Sequence, residues 1–294
     1  MKAESKEVKQ ILITGVAGFI GYHLARLLLS KNFHVIGIDN LNSYYDISLK
    51  KNRLKILHKS PNFQFYKSDL VKKNDIASIF AKYNFSHVVH LSAQVGINFS
   101  LKEPQLYIDS NITGFLNVLE NCKSYDVKNL IYASSSSVYG NNKELPFLED
   151  HKTDRPVSVY GVSKKVNELL AHSYSSLYDL QTIGLRFFTV YGPWGRPDMA
   201  YYIFTKSIME NKVIDLFNNG HYRRSFTYID DVVRPIYRLI NMVDSLDFSC
   251  YEIFNIGGVE SIQIDRLVRI IENILNKKAK ITLKSKELGN IDDT

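Results

Sequence analysis

Six short apolar runs punctuate the first two-thirds of the chain, at 11–14, 34–38, 63–66, 87–91, 130–134 and 182–188. Apolar side chains follow one another in these runs with little polar alternation, as in strands buried on both faces. Segments with helical period lie between most of them. Ile20, Leu24, Leu27 and Leu28 fall on one face, as do Val162, Val166, Leu169 and Leu170. Strand alternating with helix predicts an α/β fold, a doubly wound parallel sheet covered by helices on both sides. Beyond residue 190 the rhythm gives way to Gly-, Pro- and aromatic-rich stretches such as YGPWGRPDMAYY, then one more helix carrying Leu267, Ile270, Ile271 and Ile274. Two portions are therefore expected, 1–190 and a smaller, mixed 191–294.

Gly15 and Gly18 stand between the first run and the first helix, which Phe19 and Ile20 open and Gly21 continues. Glycines at that spacing tighten the turn and let backbone N–H groups approach a pyrophosphate at the helix N-terminus. Asp39 ends the second run, where a carboxylate takes the ribose hydroxyls of the same dinucleotide, and Asn40 and Asn42 follow it. No arginine follows Asp39 to meet a 2′-phosphate, so NAD is expected rather than NADP. The first portion thus reads as a Rossmann-type domain.

The 294 residues are 45% apolar and carry a formal charge of +7, ordinary values for a globular protein with material for a core. The basic excess is spread out except at 48–59, SLKKNRLKILHK, where Leu49, Leu54 and Leu57 recur at roughly helical spacing. That stretch reads as a solvated helix face. No nucleic-acid-binding pattern is present, and a modest positive balance suits a small anionic substrate. The longest apolar stretch, 11–29, is interrupted by glycines, His23 and Arg26, so neither a signal peptide nor a membrane span is expected. Cys122 and Cys250 stand alone, without metal-site or disulfide spacing. A cytoplasmic protein without bound metal is expected.

Candidate chemistry gathers after the fifth run. IYASSSSVYG sets Ser134 to Ser137 at a strand end, and YGVSKK places Tyr160 and Lys164 four residues apart on one helical face. A tyrosine, ordinarily near pKa ~10, becomes a usable base when a cation lies one turn away and a nicotinamide cation is near. Together TGVAGFIG, SSSSVYG and YGVSK resemble the extended short-chain dehydrogenase/reductases that act on nucleotide sugars. RFFTVYGPWGRPDM with RRSFTYIDDVV is most similar to the UDP-glucuronate 4-epimerases, and the resemblance spans nearly the whole chain.

The resemblance implies an NAD-dependent isomerase that oxidises C4 of a UDP-sugar transiently and returns the hydride to the opposite face. It implies Ser135 as the catalytic hydroxyl, Tyr160 as base and Lys164 as its electrostatic partner, both of the latter beside the cofactor. Asp69 and Leu70 would meet the adenine side, and Leu91, Ala93 and Gln94 the strand end next to the nicotinamide. Thr189 and Arg224 would face the substrate diphosphate, and Arg196 with Ser136 its sugar carboxylate. By the same resemblance the catalytic residues belong to 1–190, the UDP-sugar to 191–294, and the protein is a homodimer through the helices after the Ser135 strand.

The serine run also informs by what it omits. Related 4,6-dehydratases carry Asp-Glu directly after the catalytic hydroxyl residue, and related uronate decarboxylases a Glu before Val-Tyr-Gly. Here Ser136 and Ser137 occupy those positions, which favours epimerisation. Some positions depart from the family pattern: Asn98 and Ser225 replace an Arg and an Asp, and Asn290 replaces an Asp in the closing KELGNIDDT, where the substrate portion is expected to be shortened. Two other readings stay open, a 4-epimerase of neutral or N-acetylated UDP-hexoses and a catalytically impaired NAD-binding regulator or scaffold.

Overall fold

The computed structural model describes residues 9–242, 250–286 and 291–294; Asn290 lies outside them. Its strands are β1 (Gln10–Thr14), β2 (His34–Asp39), β3 (Phe63–Lys67), β4 (Phe85–His90), β5 (Asn129–Ser135), β6 (Gln181–Phe187), β7 (Thr189–Tyr191), β8 (Val213–Phe217), β9 (Arg223–Tyr228), β10 (Tyr251–Ile256), β11 (Ser261–Gln263) and β12 (Lys280–Lys284). The helices are α1 (Phe19–Ser30), α2 (Ile47–Leu57), α3 (Lys73–Phe80), α4 (Ile97–Lys102), α5 (Pro104–Tyr107), α6 (Gly114–Ser124), α7 (Val159–Tyr178), α8 (Ala200–Met209), α9 (Ile229–Met242) and α10 (Ile264–Leu275).

Each of the six apolar runs is a strand of one parallel sheet, ordered β10-β6-β5-β4-β1-β2-β3. Alternate residues of β1 feed opposite cores, because successive strand side chains point to opposite faces. Ile11 and Ile13 pack with Leu24, Leu28, Leu54 and Ile236 from α1, α2 and α9. Leu12 packs with Ile76, Val118, Leu119 and Ala171 from α3, α6 and α7. Each such side chain contributes about 1.5–3 kcal/mol by leaving water. Strand order reverses between β1 and β4, which opens a crevice at their carboxyl ends. The later residues add a three-stranded sheet, β11-β9-β7, and the pair β12-β8, with a core of Phe204, Ile208, Ile214, Leu216 and Leu267.

Two helices present unexpected faces. Helix α7, capped by the Ser158 hydroxyl accepting from Gly161 N–H at 3.0 Å, buries Ser163, Lys164, Asn167, Glu168 and Ser175. Val162 and Leu169, expected on a buried apolar face, are 42% and 59% exposed. The polar side turns inward because the helix supplies side chains to the crevice and to a buried ion pair. In α2, Lys50 and Arg53 are buried rather than solvated. Among the described residues no helix is long and apolar enough to cross a membrane.

Candidate active site

One cavity runs along the carboxyl ends of the central strands. At the end of β1, Gly15 takes φ +72°. A Cβ there would lie 2.8 Å from the Ser92 nitrogen, and one on Gly21 would lie 2.2 Å from the Gly15 carbonyl oxygen. Side chains are thereby excluded from this floor, which leaves its backbone open to a diphosphate. Asp39 accepts from Ala17 N–H at 3.2 Å and from Leu41 N–H at 2.8 Å, which fixes its carboxylate on the wall.

Gly18, Phe19, Ile20, Asn40, Asn42, Asp69, Leu70, Leu91, Ala93 and Gln94 line the same cavity. Asn40 donates to Asp69 at 3.0 Å, and the buried Gln94 Nε2 has no hydrogen-bond partner. A floor without side chains, a fixed carboxylate and an uncommitted amide donor fit a dinucleotide.

Two contributors escaped the sequence reading. Lys50 approaches Asp39 at 3.5 Å and donates to Asn42 at 2.9 Å. Its signal is the spacing Lys50, Arg53, Leu54, Leu57, one stripe of α2. Asn111 sits in a π-helical stretch, Ile108–Thr113, a form that recurs at functional sites. It accepts from Gln94 N–H at 2.7 Å and donates to the Gln94 carbonyl and the Ser163 hydroxyl, each at 3.0 Å. No motif marks it.

Ser135, Tyr160 and Lys164 line the other end of this cavity. Ser135 Oγ accepts from Ser137 N–H at 3.1 Å, so the hydroxyl paired with Tyr160 is held from behind. Burial pushes the Tyr160 phenol above its ordinary range, while the Ser135 hydrogen bond and the Arg196 charge pull it back. Lys164 Nζ donates to the Ala133 carbonyl at 2.9 Å, and burial lowers its pKa to about 8. It therefore stays mainly an ammonium at neutral pH.

Arg196 reaches the cavity from the turn before α8. Its Nε and Nη2 donate to Asp198 at 3.0 and 2.5 Å, and the Tyr44 hydroxyl donates to the same carboxylate at 3.2 Å. The guanidinium is thus oriented by a fixed fork.

The remaining candidates lie elsewhere. Thr189 and Arg224 line a neighbouring cavity with Phe217 and Tyr222, and Met199 contributes to both walls. Arg224 Nη1 donates to the Arg223 and Asp292 carbonyl oxygens at 2.8 and 3.0 Å, while Ser225 donates to the Gly258 carbonyl at 3.0 Å. Ser136 is buried in the 3₁₀ turn Ser136–Tyr139 and lines neither cavity.

A dinucleotide cradle at the switch point, closed at one end by ionisable hydroxyls, puts the molecule in the short-chain dehydrogenase/reductase class of its extended kind. The chain belongs to the NAD dependent epimerase/dehydratase family, whose model matches residues 11–257. It is 45% identical to Protein CapI of Staphylococcus aureus over 97% of this chain and 89% of that one. It is 46% identical to the UDP-glucuronate 4-epimerase of Thermodesulfobacterium geofontis over 92% of this chain and 81% of that one. Among solved structures it is similar to the UDP-glucuronic acid 4-epimerase of Bacillus cereus in complex with UDP-glucuronic acid and NAD. That match has a TM-score of 0.89 and 34% identity, covering 97% of this chain and 89% of the other.

Proposed function

We propose that this chain is an NAD-dependent 4-epimerase that interconverts UDP-glucuronate and UDP-galacturonate. The observation that carries the reading is a single cavity in which Arg196 shares the walls with Ser135 and Tyr160. The relatives named for UDP-glucuronate support the same substrate. NAD bound along the glycine floor supplies reversible acceptance of the C4 hydride.

Tyr160 takes the O4 proton and later gives it back. Ser135 holds O4 against the phenol and stabilises the charge that develops there. Lys164 keeps a positive charge beside them. Oxidation at C4 turns a uronate into a β-keto acid, which loses CO₂ when its carboxylate stands perpendicular to the carbonyl. Arg196, fixed by Asp198, holds the carboxylate out of that geometry. In this reading residues 1–190 carry the cofactor and the chemistry, and 191–294 receive the nucleotide around Arg224, with Thr189 just before the boundary. The reaction is assigned to the cytoplasm, whose reducing conditions suit the two free cysteines, Cys122 and Cys250.

Incubation with UDP-glucuronate, UDP-glucose and UDP-N-acetylglucosamine in parallel, read by NMR, tests the assignment. The uronate is the best substrate if it holds; preference for a neutral or N-acetylated sugar, or no epimer from any, overturns it. Arg196→Ala raises the KM for UDP-glucuronate about tenfold or more, the worth of one charged hydrogen bond. It also diverts product to the decarboxylated UDP-pentose. Unchanged KM, turnover and CO₂-to-epimer ratio would remove Arg196 from this role.

The outward apolar residues Val162 and Leu169 of α7, with Leu116 of α6, supply the contact for a homodimer. Leu169→Glu then yields monomers by light scattering, and a monomeric wild type at micromolar concentration rules the dimer out.

A further inference from the structure

A buried cation outside the reacting groups calls for a physical reason. Arg53 of α2 is 0% exposed, and none of the carboxylates of the described residues lies within ion-pair reach of it. Burying a guanidinium among neutral oxygens costs more than burying an apolar side chain of the same size, so stability alone does not account for it.

Its partners do. Nη1 donates to the Ala17 carbonyl at 2.8 Å and to the Tyr45 hydroxyl at 2.9 Å, and Nη2 donates to the Trp194 carbonyl at 2.5 Å. Ala17 lies inside the glycine loop, between Gly15 and Gly18, and its own N–H is the one held by Asp39. Trp194 stands two residues before Arg196, with φ +60°, a backbone state that costs a bulky side chain energy and persists only where neighbours impose it. Neighbours do impose it here: His23 Nε2 bonds the Pro193 carbonyl at 2.9 Å, the Tyr22 and Trp194 rings meet at 5.8 Å, and Arg53 holds the next carbonyl. One rigid fork therefore joins the floor of the cofactor cradle to the turn that aims Arg196.

We propose that Arg53 is a positioning residue that couples the cofactor loop to the substrate-carboxylate turn, so that each site is shaped by the other. The substrate half of this inference rests on the reading of Arg196 given above; the cofactor half does not. Because Arg53 bonds both turns, loosening the fork disturbs both at once and weakens both ligands together.

Arg53→Met keeps the stem and removes the fork, while Arg53→Lys keeps the charge on a single point of contact. Trp194 is the only tryptophan in the sequence, so emission reports the turn directly. In folded Arg53→Met the NAD Kd and the UDP-glucuronate KM each rise about tenfold, as for loss of one charged hydrogen bond. Trp194 emission shifts, and Arg53→Lys restores neither affinity fully.

A merely structural Arg53 lowers the unfolding temperature and leaves Kd, KM and emission of the folded protein as in wild type; that result overturns the proposal. Should Arg53→Met not fold, Arg53→Lys decides on the same three measurements. A KM that rises in Arg196→Ala but not in the Arg53 variants also overturns it, while leaving the reading of Arg196 intact. No KM change in Arg196→Ala instead removes that reading, and NAD affinity with Trp194 emission then decides the role of Arg53.

Discussion

Tyr160→Phe lowers the turnover of UDP-glucuronate by about 10²–10⁴-fold, the span that a positioned general acid–base contributes, and leaves NAD affinity close to wild type. The substitution removes one oxygen from a side chain whose ring still fills its place against Tyr107, 6.2 Å away. The fold therefore stands while the proton has nowhere to go. The pH profile carries the same information with a definite sign. Burial raises the Tyr160 pKa, so the base form grows as pH rises above neutrality and the rate climbs with it. The Ser135 hydrogen bond and the Arg196 charge favour the phenolate. Ser135→Ala and Arg196→Ala each move that limb to higher pH. A turnover in Tyr160→Phe within threefold of wild type, or a limb that moves to lower pH in Ser135→Ala, assigns the proton to another group.

Glu168→Ala destabilises the protein by about 3–5 kcal/mol, the cost of leaving a buried charge without its partner. Glu168 takes Arg186 Nε at 2.8 Å and Nη2 at 3.1 Å, and accepts the Ser134 hydroxyl at 2.7 Å, with both charged residues buried. Among the described residues, removing the carboxylate leaves Arg186 with only the Tyr139 hydroxyl and the Glu149 carbonyl. Arg186→Met made on top of Glu168→Ala returns part of the loss, because two apolar side chains cost less than one orphaned ion.

Burial raises the Glu168 carboxyl, but Arg186 and Ser134 outweigh it and the net shift is downward from the ordinary 4.5. A depressed folded pKa stabilises above the unfolded value and loses that contribution as pH falls through the folded one. Wild type and Glu168→Ala therefore converge below pH 4.5. Denaturant midpoints across pH measure this, and a constant difference at all pH values contradicts the assignment.

The strands were legible because a buried parallel sheet writes itself as contiguous apolar runs, and the cofactor end because glycine and aspartate have few substitutes there. β10 was not, since its residues are half-buried at the sheet edge and YEIFNI mixes polar with apolar. The inward faces of α2 and α7 reverse the rule that charge marks the solvent side. Lys50, Arg53 and Glu168 satisfy their charges through partners far along the chain, which periodicity cannot register. Arg196 was legible as a cation in a rigid segment. Its setting by Asp198 and Tyr44 depends on a contact with a residue some 150 positions away.

The way the chain leaves β5 limits what this scaffold can become. Ser136, Ser137, Val138 and Tyr139 are all buried, and Gly140, at φ +58°, has no room for a Cβ, which would lie 2.2 Å from the Arg155 carbonyl oxygen. Ser136→Asp with Ser137→Glu would deliver two carboxyls into a closed space, where burial raises their pKa and keeps them protonated. Reaction choice here is tied to what the strand carries into the turn that follows it: hydroxyls at 136 and 137, and no acid.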